Sequence, residues 1–161
     1  MKHNPQLTRQ IGEHLVVAKL GRLGYIATPF AGNVPEFDLL IADDKGRSIP
    51  VQVKAINGYS WQFQKVSIFL NVEIIDDVQH VKGKRKLANP NLVCIFVLLS
   101  EDENDKFFIF QLKDLQAFFS KTYKGGRRPK NPQSLHCAIL PEDLVRFKDN
   151  WSLIKQALNA K

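Results

Sequence analysis

Apolar and polar positions change period several times along the 161-residue chain, and each change marks an element. Residues 6–23 carry apolar side chains at helical spacing, with Ile11, Leu15, Ala18 and Leu23 as the expected inner face. Asn4-Pro5 or Thr8 can cap the start, and Gly24 suits the position just past the end. The period then shortens to two. Residues 25–28, 36–41 and 47–55 read as strands. A loop through Gly32-Asn33 separates the first two, and Asp43-Asp44-Lys45-Gly46 makes a tight reversal between the last two. Residues 61–75, rich in aromatic and branched side chains, add one or two strands, while 76–87 leaves a helix open. The unbroken apolar run 92–99 suits a fully buried central strand. After a polar turn at 101–105 come a strand at 107–111, a helix at 112–121 with Leu115, Phe118 and Phe119 inward, and a short strand at 135–139. A helix over 141–158, interrupted near Asn150, closes the chain with Leu144, Phe147, Trp151 and Ile154 inward. A helix, a run of strands and then mixed elements predict an α/β fold with helices flanking the sheet, in one domain spanning 1–161.

Composition changes this picture little. The 44% hydrophobic and 24% charged content is ordinary for a soluble protein. No apolar run approaches the roughly 20 residues of a membrane span, so no membrane partner is expected. Met1-Lys2-His3-Asn4-Pro5 has no signal-peptide core, and a cytoplasmic location is expected. Cys94 and Cys137 lie in apolar segments without CxxC spacing and read as buried free thiols. Eleven phenylalanines exceed what the pattern places inside, which leaves room for a self-associating surface.

Charge changes it more. The formal net charge is +7, and its distribution is uneven. No acid occurs between Asp77 and Glu101, where Lys82, Lys84, Arg85 and Lys86 crowd together. None occurs between Asp114 and Glu142, where Lys121, Lys124, Arg127, Arg128 and Lys130 surround Gly125-Gly126. Both clusters read as loops. A charge run is often only a solvated face, but two acid-free basic loops favour a nucleic-acid partner.

The candidate chemistry sits in Phe37-Asp38-Leu39-Leu40-Ile41 and Val51-Gln52-Val53-Lys54-Ala55. Strand side chains alternate, so Gln52 and Lys54 share one face and Val51, Val53 and Ala55 the other. Two polar groups on an otherwise apolar strand are costly to bury without partners. Asp38, on the preceding strand of the hairpin, is the obvious one. A carboxylate, an amide oxygen and an ammonium gathered at one point can hold a divalent cation and a phosphate. Each residue also has a plainer reading. Asp38 can cap a turn, Gln52 and Lys54 can line a solvated strand face, and Glu13 can be an exposed helical glutamate. His14 reads as a surface residue, and Trp61 and Phe63 read better as core than as a base-stacking platform.

The order helix with an acid, short strand, strand with Asp, then strand with acid-or-amide, any residue and Lys resembles the PD-(D/E)XK nuclease superfamily. The likeness covers roughly residues 8–56. It is similar to archaeal-type Holliday junction resolvases and, through the glutamine, to methylation-dependent restriction endonucleases whose motif reads QxK. The resemblance implies a restriction-endonuclease-like mixed β-sheet flanked by helices and a metal-dependent DNA endonuclease. It places Asp38 at the motif aspartate, Gln52-Val53-Lys54 at the (D/E)XK segment and Glu13 (in Gly12-Glu13-His14) at the helical glutamate. Pro35 stands three residues before Asp38 instead of beside it. The implied cofactor is Mg²⁺ or Mn²⁺ on Asp38, Glu13, the Gln52 side chain and the Val53 carbonyl. Because Gln52 offers an oxygen but no charge, the expected site holds one metal. Lys54 would orient water or neutralise charge on the phosphate. A homodimer would let two sites act on two strands. Two alternatives remain at this point: a catalytically degenerate DNA-binding protein of the same fold, and an interaction module whose charge is incidental.

Overall fold

Asn4 opens the first helix, its Oδ1 accepting the Gln6 N–H at 2.8 Å, with Pro5 in the first turn. This helix, α1, spans Pro5–Arg22, and Gly24 follows it at a φ of +86°, the left-handed conformation in which glycine costs least. The computed structural model describes residues 4–30, 36–126 and 129–160, so Gly32, Asn33, Pro35, Arg127 and Arg128 lie outside it. The chain divides into two compact units. Unit 1 comprises 1–61, 92–110 and 140–161, and unit 2 comprises 62–91 and 111–139.

Unit 1 is built on a mixed sheet of five strands, β1 (Ile26–Pro29), β2 (Leu39–Ala42), β3 (Ser48–Ile56), β7 (Val93–Leu98) and β8 (Lys106–Gln111), in the order β1-β2-β3-β7-β8. Both β1–β2 and β2–β3 are antiparallel, and β3–β7 is parallel. Val93 to Val97 are all buried, as expected of an unbroken apolar run in a covered strand. Val51, Val53, Ile95 and Ile109 point to the face covered by Val16 and Leu20 of α1 and by Ile154 and Leu158 of α3 (Ser152–Asn159). Alternation sends Phe96, Phe108 and Phe110 to the other face, where Phe96 and Phe108 pack on Trp61 at centroid distances of 5.1 and 5.7 Å. The expected α/β architecture, a mixed sheet flanked by helices, is the one the chain adopts.

Unit 2 contains β5 (Leu70–Ile75) and β6 (Val78–Lys84), paired as an antiparallel hairpin, and α2 (Leu112–Thr122). Its remaining pair is β4 (Trp61–Phe63, whose first residue closes unit 1) with β9 (Cys137–Ile139). Phe63, Phe69 and Phe119 interlock here at 5.0–5.7 Å. All eleven phenylalanines are described and none is exposed, although Phe30, Phe37, Phe107, Phe118 and Phe147 are only partly buried.

Several local expectations need correction. The fully buried ridge of α1 is Thr8, Gly12, Val16 and Leu20; of the expected face, Leu15 packs partly buried on the core, whereas Ala18 and Leu23 are exposed. A Cβ on Gly12 would lie 2.3 Å from the Ala55 Cβ, so the helix approaches β3 along a row of small residues that a hydrophobic count overlooks. Residues 78–84 form a strand, not a helix, because Asp76 and Asp77 take positive φ values of 48° and 60° and close a hairpin without glycine. The last helix is a 3₁₀ segment, Pro141–Phe147, followed by α3, with the break falling beside Asn150. Cys94 and Cys137 are buried free thiols.

Candidate functional site

Three side chains meet where α1 passes the start of β2. Arg9 on α1 donates from Nε to Glu13 Oε1 at 2.8 Å, one helical turn on. Its Nη2 donates to Asp38 Oδ1 at 2.7 Å. The two carboxylates, 15% and 11% exposed, thus converge on one guanidinium that is itself half exposed. The hydrogen bond to Glu13, reinforced by the charge of Asp38, raises the Arg9 pKa above its ordinary value despite partial desolvation. The Gly12–Ala55 contact sets this meeting, because it seats the helix turn carrying Arg9 and Glu13 directly on β3.

Asp38 lies one residue ahead of β2 instead of inside it. Its N–H donates to Val51 O at 2.9 Å, and its carbonyl accepts the Phe30 N–H at 3.1 Å. The β2–β3 ladder runs only from Leu39↔Val51 to Ala42↔Ser48, so the backbone of β3 beyond Val51 has no β2 partner. Asp38 supplies one: its Oδ2 accepts the Val53 N–H at 2.8 Å. Asp38 therefore grips the centre of Gln52-Val53-Lys54. The carboxylate thus satisfies an otherwise orphaned strand N–H, and its other partner is an arginine, not the lysine or turn that a plainer reading offers.

Gln52 and Lys54 share the sheet face opposite the α1 core, beside Cys94 and Phe96 in the parallel register, and both are partly buried. The Val53 side chain is buried in the core. Trp61 Nε1 donates to Lys54 O at 3.0 Å and fixes the strand there. Glu13 and Asp38 supply carboxylate oxygens of the kind that hold a hard divalent cation, whereas Gln52 and Lys54 lie on the sheet face opposite the core that α1 covers. Among the described residues no three His, Cys, Asp or Glu side chains form a metal-holding group.

The second candidate surface is in unit 2. Lys82 and Lys84 are exposed on β6 and not in a loop, which corrects the sequence expectation, and Arg85 and Lys86 follow directly. Lys82 Nζ pairs with Glu73 across the hairpin at 3.3 Å. The second basic segment is laced to the same hairpin. Gly126 N–H donates to Gln79 O at 3.0 Å, and buried Gln79 Nε2 donates to Pro132 O and Ser134 O at 2.7 and 2.8 Å. Tyr123 Oη donates to Gln79 Oε1 at 2.5 Å. Gln116 does the same for Arg85, donating to its carbonyl and to Phe69 O at 2.6 and 2.8 Å. Lys124 and Lys130 are exposed. The two basic clusters, some forty residues apart in sequence, share one scaffold. By sequence, unit 2 holds eleven Lys and Arg against four Asp and Glu, the entire +7 of the chain.

Sequence reasoning did not single out Arg9, whose signal was its i,i+4 spacing to Glu13, nor Gly12 as a packing device. Gln79 and Gln116 carried no signal, since an amide in a polar stretch looks like surface.

The fold has a known counterpart. The structure of a bacterial homing endonuclease, I-Ssp6803I, is similar to this chain with a TM-score of 0.56 and 14% sequence identity, over 99% of this chain and 98% of that one. At that identity the likeness concerns the fold alone. No protein-family model matches the chain, and no curated protein matches it. No helix among the described residues is long and apolar enough to cross a membrane.

Proposed function

We propose that this chain is a metal-dependent DNA endonuclease of the PD-(D/E)XK type. The observation that carries the reading is the Asp38 carboxylate, which grips the Gln52-Val53-Lys54 backbone at Val53 N–H and is joined through Arg9 to Glu13. The endonuclease fold supports it. The excess charge of unit 2 supplies a phosphate-seeking surface through Lys82, Lys84, Arg85, Lys86, Lys124 and Lys130, with Arg127 and Arg128 adding charge by sequence.

Glu13, Asp38, Gln52 and the Val53 carbonyl would hold one Mg²⁺ or Mn²⁺ ion, whose two formal charges match the two carboxylates. When bound, that ion supplies Lewis-acid charge to a phosphate oxygen and lowers the pKa of nearby water. Val53 N–H holds Asp38 Oδ2, which fixes the orientation of the carboxylate beside β3. The Lys54 ammonium neutralises charge that develops on the phosphate as the water oxygen–phosphorus bond forms and a backbone phosphorus–oxygen bond breaks. The water proton passes to solvent, and the leaving oxygen takes a proton from solvent. Cutting both strands of a duplex would call for two copies of the chain.

Plasmid cleavage in Mg²⁺ tests the reading with wild type, Asp38→Ala and Lys54→Ala. Each variant is expected to lose roughly 10²–10³-fold, the usual effect of removing one electrostatic group from such a site. Equal cleavage by all three would overturn it. A second reading, a DNA-binding protein with a degenerate site, is favoured by the neutral Gln52 and by the prior engagement of both Asp38 oxygens. It requires salt-sensitive DNA binding with no hydrolysis in Mg²⁺ or Mn²⁺.

A further inference from the structure

We infer that Arg9 is a resident cation that holds Glu13 and Asp38 together in the metal-free protein and yields its place when a divalent ion binds them. The inference rests on the metal-dependent reading above. A single guanidinium donates to both carboxylates through different nitrogens, at 2.8 and 2.7 Å, and so lies at the point on which their charges converge. The donor set is the kind a hard cation takes, and a cation of the protein's own already fills it.

The anchoring of the three partners is unequal, which makes exchange feasible. Asp38 is held from behind, because Val53 N–H grips Oδ2 while Arg9 takes Oδ1. Glu13 is carried by a helix turn seated on Ala55 through Gly12, where no room exists for a Cβ. Among the described residues Arg9 is tied by its two ion pairs, and it has the most exposed side chain of the three, at 52%. Departure of the guanidinium therefore frees Asp38 Oδ1 and Glu13 Oε1 without a backbone change. Divalent-ion affinity is then set by competition: the ion must displace two charge-assisted hydrogen bonds before it gains two carboxylate oxygens.

Mn²⁺ binding to the full chain without DNA, read by electron paramagnetic resonance or calorimetry, tests this apart from catalysis. Arg9→Gln is expected to bind Mn²⁺ about tenfold tighter than wild type, since two strong competing bonds vanish. Arg9→Lys keeps the charge but not the two-pronged donor geometry and should fall between them. Arg22→Gln removes an equal charge from the same helix outside the cluster and should leave the affinity unchanged. A tightening in Arg9→Gln no greater than in Arg22→Gln overturns the inference, as does an Arg9→Lys protein no tighter than wild type. If Asp38-dependent cleavage persists while Arg9→Gln leaves Mn²⁺ affinity unchanged, the inference falls and the nuclease reading stands. If no variant binds Mn²⁺ and none cleaves DNA, both fall.

Discussion

Unit 1 contains twelve Lys and Arg against twelve Asp and Glu, whereas unit 2 contains eleven against four. In the neutral unit, charges are spent on each other: Arg9 on Glu13 and Asp38, and Arg47 on Asp43 at 2.5 Å. In the basic unit, the Lys82–Glu73 pair is exposed and worth about 0–1 kcal/mol, and most other cations face solvent. Internal pairing at defined geometry is what chemistry needs. Surplus charge on an amide-laced scaffold is what a polyanion needs. The difference teaches that the proposed cleavage and the proposed affinity belong to separate parts of the chain and can be removed separately.

The most forceful test crosses the two units. Asp38→Ala should lower cleavage by roughly 10²–10³-fold while retaining DNA affinity at low salt. The triple variant Lys84→Gln, Arg85→Gln and Lys86→Gln should lower the slope of log affinity against log salt by about 2.7 if each cation meets one phosphate. Cleavage at saturating DNA should survive in that variant. Filter binding across a salt series and single-turnover cleavage read the two effects, and a triple variant with unchanged salt slope would break the division.

A smaller effect is expected from Gly12→Ala. The added Cβ meets Ala55 and must push α1 off β3, costing about 1–3 kcal/mol of stability by urea denaturation. Because that contact also seats Arg9 and Glu13, cleavage should fall while the salt slope stays unchanged. Gln79→Leu is the counterpart in unit 2. It strands the Pro132 and Ser134 carbonyls and the Tyr123 hydroxyl, costing about 1–3 kcal/mol and weakening DNA binding before cleavage at saturating DNA.

The smallest effect is a pH dependence at the β2–β3 turn. Asp43 accepts from Arg47 Nε and from the Arg47 and Lys45 N–H groups. The Arg47 side-chain bond, helped by those from the backbone, holds its carboxyl below the usual value. A lowered folded pKa means that the stability is fully present above the unfolded value, about 3.9, and is lost as pH falls through the folded one. Wild type minus Asp43→Asn melting temperatures should therefore be constant near neutrality and shrink below about pH 4.

How much of this was legible in the sequence depended on the type of signal. Asp38 and Gln52-Val53-Lys54 stood out because a polar group in an alternating apolar strand is conspicuous. Arg9 stayed hidden because its partner Asp38 lies 29 positions away and no helical period points there. The buried ridge of α1 was misread because Thr8 and Gly12 are not apolar, although tight approach to β3 favours small residues. The β5–β6 hairpin was left open because its turn uses Asp76 and Asp77 in a conformation usually signalled by glycine or asparagine. The union of the two basic segments was invisible, since Gln79 and Gln116 act through backbone carbonyls at distances that only the fold creates.

Both tryptophans, Trp61 and Trp151, fall in unit 1, and unit 2 has only Tyr123 as a hydroxylated ring. Indole emission therefore reports first on unit 1, through Trp61 against Phe96 and Phe108 and Trp151 against Phe107. An optical melt followed at the red edge, set beside whole-chain calorimetry, separates the two halves without a label. Quenching of that emission on titration with DNA would locate the perturbation in the neutral half.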